Sequence, residues 1–129
     1  MSGGELGYAD RPTSVPGTSA KTETWLWIAQ RASAALLALC VLVHLATIIY
    51  AVRHGLTGAA ILGRTRGNAA GLAFYFLYVL AIAVHAPIGL RSLFQEWLGW
   101  RSASLNWFIA ALALALFAFG LRAGWAVFA

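Results

Sequence analysis

The stretch from Ala32 to Val52, ASAALLALCVLVHLATIIYAV, decides the architecture. It runs for 21 residues without a formal charge. At 1.5 Å of rise per residue, about 20 residues cross the roughly 30 Å hydrocarbon core of a bilayer. Ahead of it, Lys21-Thr22-Glu23-Thr24 puts polar residues before an apolar run, which is how a helix starts. Trp25 and Trp27 suit the headgroup level.

Working outward, the same reading finds two more spans. The second runs from about Ala69 to Leu90 and stops at Arg91, with Glu96, Trp97, Trp100 and Arg101 beyond. Pro87 lies inside it and should loosen or kink the helix. The third runs from about Leu105 to Leu121 or further, with Trp107 and Trp125 at its interfaces. The Ala/Leu alternation from Ala110 to Leu116 could mark a barrel strand. A barrel strand needs polar residues on its lumen face, and both faces here are apolar, so a helix is expected. The predicted spans are about 25–52, 69–91 and 105–126. Arg53 to Asn68 reads as a loop, broken by Gly55, Gly58, Gly63 and Gly67 and kept in water by Arg53, Arg64 and Arg66. Residues 1–24 read as a polar tail with no basic segment leading into an apolar core, unlike a secretory signal.

Composition agrees. Of 129 residues, 61% are hydrophobic and 10% charged, against about 25% charged in a soluble domain. That excludes an ordinary soluble enzyme and a disordered chain. The net charge of +5 comes from basic residues scattered singly between apolar runs, so no nucleic-acid partner is expected. Cys40 is the one cysteine and cannot form an internal disulfide. Five basic residues (Arg11, Lys21, Arg31, Arg91, Arg101) fall on one side of the bilayer and four (Arg53, Arg64, Arg66, Arg122) on the other. This is too even to fix orientation. The expected fold is an all-α membrane protein with three transmembrane helices.

Ionisable residues within spans are costly and usually functional. His44 lies in the first span and His85 in the second; His54 falls in the loop. One reading has each imidazole hydrogen-bonded to a neighbouring helix. The sharper reading is axial ligation of haem, whose apolar macrocycle fits between helices. Ser33, Leu37, Cys40, Val41 and His44 share one helical stripe. Gly71, Tyr78, His85 and Ser92 recur every seven residues, with Ala81 and Gly89 one turn either side of His85. Small residues beside each histidine leave room for a flat cofactor or for close helix packing. Gly120 and Gly124 form a GxxxG pair that straddles Arg122, a weak packing signal.

The first two spans are antiparallel, which puts Arg31 and Arg91 on the same side. His44 then lies about 20 Å from Arg31, and His85 about 9 Å from Arg91, along their helices. The two imidazoles should sit roughly 10 Å apart in depth, so they are not expected to share one iron. A six-coordinate haem at either level would take its second histidine from another chain. Arg31 and Arg91 are candidates for haem propionates or a quinone oxygen, or simply snorkel at helix ends. Ser33 could donate to a quinone carbonyl or bond back to its own helix.

Two segments carry a resemblance. Gln30-Arg31-Ala32-Ser33-Ala34-Ala35-Leu36 with Val43-His44-Leu45 is similar to the first membrane helix of the succinate dehydrogenase and fumarate reductase cytochrome b subunits. Val84-His85-Ala86-Pro87-Ile88-Gly89-Leu90-Arg91 resembles their second helix, a His followed by Gly and Arg. The resemblance implies a haem b anchor for a flavoprotein and an iron–sulfur subunit, exchanging electrons with quinone. It implies that His85 is the axial ligand and Arg31 lies near the quinone and propionates. It matches Arg91 to the arginine after the glycine, and His44 to the first-helix histidine of two-haem members. The family's Ser-Gly is Ser33-Ala34 here, and Trp27 stands where a quinone-site serine often sits.

The resulting expectation is a haem-binding helical bundle in a bacterial inner membrane. It would pair with a second anchor chain or a copy of itself, and would carry no dicarboxylate chemistry. The alternatives are a haem b anchor of another membrane dehydrogenase, or a haem-free scaffold or small transporter.

Overall fold

The computed structural model describes residues 18–129, and its four elements are all helices: α1 (Ala20–His54), α2 (Gly58–Thr65), α3 (Ala69–Trp97) and α4 (Ala103–Phe128). Three of them, α1, α3 and α4, are long and apolar enough to cross a membrane. The chain is an all-α, multi-pass membrane protein. Residues 1–17 of the expected tail lie outside the described residues.

The helix starts follow from capping. Ser19 accepts from the Thr22 amide, so α1 begins at Ala20, just ahead of the start expected at Lys21–Thr24. Asn68 caps α3 through the Gly71 amide at 2.9 Å. The segment 53–68, expected as a loop, is not one throughout. Thr57 accepts from the Ala60 amide and starts the eight-residue α2, and Gly55 and Gly67 turn the chain on either side with φ of 114° and 69°. Glycines at 58 and 63 lower helix propensity by about 1 kcal/mol each without forbidding a short capped helix. Pro87 sits within α3 and is buried, and α3 continues through it.

The spans form a row, not a closed triangle. α3 is the middle helix and packs on α1 on one side and more extensively on α4 on the other. Val79, Ala83, Pro87 and Arg91, four residues apart in turn, are buried on α3. Leu105, Ile109 and Gly124 are buried on α4.

The GxxxG pair is the closest part of the α3–α4 seam. A Cβ at Gly120 would lie 2.5 Å from Val79 Cγ1, and one at Gly124 2.5 Å from the Tyr75 ring. Both glycines therefore serve packing inside this chain. Gly120→Leu or Gly124→Leu is expected to pry the helices apart and cost about 1–3 kcal/mol. The check is the midpoint of denaturant-induced unfolding in detergent, which should fall; an unmoved midpoint would mean a loose seam.

Candidate functional site

His85 lies one turn and a half before Arg91, half-buried on the α1 side of α3. Its Nδ1 is 3.4 Å from the Ser33 hydroxyl and 3.4 Å from the Gln30 carbonyl. Ser33 is buried on α1. Its hydroxyl proton is committed to its own helix, donated to the carbonyls of Ala29 at 2.6 Å and Gln30 at 3.1 Å. Facing Nδ1 are thus a hydroxyl oxygen with its proton directed elsewhere and a carbonyl that only accepts. The Gln30 carbonyl suits an Nδ1–H donor, a tautomer in which the lone pair belongs to Nε2. Among the described residues Nε2 has no hydrogen-bond partner.

That is the donor arrangement of a metal-ligating histidine. One nitrogen donates to fixed oxygen acceptors, which orients the ring and raises the basicity of the other. Beside it, the Gln30 Nε2 lies 3.2 Å from where a Cβ of Gly89 would stand, so Gly89 gives this side chain room. The buried Gln30 Oε1 lacks a partner among the described residues. By donor chemistry, the His85 imidazole fits haem ligation. No cluster of three or more His, Cys, Asp or Glu among the described residues offers a competing metal site.

His44 sits elsewhere. It is exposed on α1, and its ring stacks on Tyr78 of α3 at 5.8 Å between centroids. Tyr78 lies seven residues from His85, roughly 10 Å along α3. The two imidazoles occupy separate levels, as the depth count expects.

Arg31 is exposed, and its guanidinium stacks over Trp27 at 5.2 Å. The tryptophan in place of a serine thus carries a cation–π contact one turn away. Arg91 is only 5% exposed and already has a partner. Its Nη2 donates to Glu23 Oε1 at 2.7 Å, its Nη1 to Glu23 Oε2 at 3.2 Å, and its Nε to Asn106 Oδ1 at 3.0 Å. Glu23 is on α1 and Asn106 on α4, so this fork ties all three spans together. Sequence reasoning missed Glu23 and Asn106. The available signal was one acid just ahead of the first span, antiparallel to an arginine ending the second.

The structure therefore brings Ser33 and His85 together, and leaves His44, Arg31 and Arg91 each in a different setting. A helix row of this kind, with three spans, defines a polytopic membrane protein. The chain belongs to the succinate dehydrogenase/fumarate reductase transmembrane subunit family, whose model matches residues 14–121. Membership gives it the role of a membrane anchor that associates with the other subunits of such a complex. No curated protein and no solved structure matches the chain.

Proposed function

We propose that this chain is the haem b-carrying anchor of a succinate dehydrogenase or fumarate reductase complex in a bacterial inner membrane. It passes electrons between an iron–sulfur subunit, itself joined to a flavoprotein subunit, and quinone. The observation that carries this is the Nδ1 of His85 directed at the Gln30 carbonyl and the Ser33 oxygen, with the Nε2 lone pair left free. Haem, when bound, supplies a one-electron store. His85 would hold its iron from α3. His44, exposed toward the outside of this chain, would ligate a second haem. In each case the opposite ligand comes from a second anchor chain or another copy.

Arg31, exposed and held over Trp27, would meet a propionate or a quinone oxygen. Arg91 has two N–H groups beyond the three it gives to Glu23 and Asn106, so it too could reach a propionate while holding the bundle. Ser33 acts here as an acceptor for His85 rather than as a donor to quinone. Dicarboxylate chemistry would stay with the partners.

The test is the reduced-minus-oxidised spectrum of the purified complex, with iron counted per polypeptide. A b-type spectrum is expected; a colourless complex without iron would leave a haem-free scaffold. A finer prediction concerns Ser33→Ala. Removing an acceptor from Nδ1–H makes the imidazole a poorer donor, which favours the reduced iron. The spectrum should persist and the midpoint potential rise by about 20–60 mV, up to a tenfold change in a one-electron equilibrium. An unchanged potential would mean Ser33 does not touch the ligand.

A further inference from the structure

At the opposite end of the molecule from Arg91, the outer side of the α3–α4 seam forms a groove of about 970 Å³. Ala73, Ala118, Phe76 and Leu121 line it, with Arg122 and Trp125 among its border. Along α3 it extends from Ala69 to Val79, or about 15 Å of helix. That is half the roughly 30 Å hydrocarbon core, the depth of one leaflet.

The charged side chains at this end are of one sign. Arg53 lies in the last turn of α1, Arg66 follows α2, and the Gly67 amide donates to the Phe128 carbonyl at 3.0 Å, fixing the α2–α3 turn on the end of α4. Arg53, Arg66 and Arg122 are exposed. Arg64 is occupied, donating to the Gly55 carbonyl at 2.6 Å beside the Tyr50 ring. No Asp or Glu occurs between Thr24 and Gln95 or after Glu96, so no acidic side chain of the described residues lies at this end. Arg122 stands six residues before Phe128, about 9 Å inward from that turn. A guanidinium rooted in the acyl zone is costly unless it reaches an anion or water.

We infer that this groove binds an anionic glycerophospholipid, with an acyl chain along α3 and α4 and the phosphate on Arg122. Apolar lining alone gives no preference, because every lipid tail is as apolar as the groove. Discrimination comes from charge: an anionic headgroup meets arginines with no acidic side chain among them, whereas a zwitterionic one brings its own cation. Each basic residue near an anionic headgroup changes binding about five-fold.

The test uses the full chain with its co-purifying subunits, in nanodiscs of phosphatidylcholine. Brominated-acyl phosphatidylglycerol or brominated-acyl phosphatidylcholine is titrated in over the same range of mole fraction. The signal is Trp125 emission, taken as the difference between wild type and Trp125→Phe. Half-quenching is expected at about five-fold less phosphatidylglycerol than phosphatidylcholine. Arg122→Gln should remove the preference, and Arg122→Lys should keep most of it. Equal quenching by both lipids, or a preference that survives Arg122→Gln, overturns the site. Absence of quenching by either lipid means a protein helix covers the groove and overturns it too.

Discussion

His85→Ala is expected to erase the b-type spectrum of the complex, or one whole component of it where His44 serves a second haem. An alanine offers no donor, and the oxygens facing Nδ1 belong to Ser33 and to the Gln30 backbone, neither placed to substitute for Nε2. The loss should be complete rather than graded. Iron per polypeptide falls with the spectrum, while the amount of chain in the membrane holds, since His85 is half-buried and bonded only weakly at 3.4 Å. His44→Ala is the companion, expected to leave the His85 component in place. If His85→Ala keeps full absorbance and iron, the imidazole is a helix-packing residue and the haem assignment to this chain fails.

The second large effect is on stability. Glu23→Gln removes the charge that faces a guanidinium 5% exposed. Breaking a buried pair from one side costs about 3–5 kcal/mol, because the other charge is left uncompensated. Glu23 is about a third exposed, at 34%, so water recovers part of this and a cost of about 2–3 kcal/mol is expected. Arg91→Met alone leaves Glu23 able to turn to solvent and should cost less than Glu23→Gln. Glu23→Gln with Arg91→Met removes both charges and should recover most of the loss. Unfolding midpoints of the three variants in detergent give the comparison. A double variant no better than Glu23→Gln would mean that the pair contributes through shape and not charge. The same double variant separates two roles of Arg91: if its haem spectrum and potential match the wild type, the arginine holds helices and not a propionate.

The spans were legible because a charge-free run of membrane length permits little else, as Ala32–Val52 illustrates. Their ends were less so. Ser19 and Thr57 extend helicity into polar sequence by accepting single backbone amides, which hydropathy does not register. The separate levels of His44 and His85 followed from helical rise once the hairpin was antiparallel. What rise could not supply was rotation. Arg31 and Ser33 are neighbours in sequence, yet Ser33 is buried against His85 while Arg31 is exposed on Trp27. Glu23 and Arg91 are 68 positions apart, and only the packed pair of helices reveals them as partners. Gly120 and Gly124 were undervalued because Arg122 between them suggested an interface, although α4 turns both glycines to α3 and leaves the arginine outside.

The row of spans has a consequence for biogenesis. The hydrogen-bond partners of His85 come from α1 alone, the element that leaves the ribosome first, while α4 packs mainly on α3 and touches α2. The nascent hairpin of α1 and α3 therefore holds the complete imidazole setting before α4 is translated. The ring can be oriented before chain termination, whereas the Glu23–Arg91–Asn106 fork closes only when α4 docks. Maturation would proceed in two separable stages, orientation of the ring within the α1–α3 hairpin and then closure of the fork.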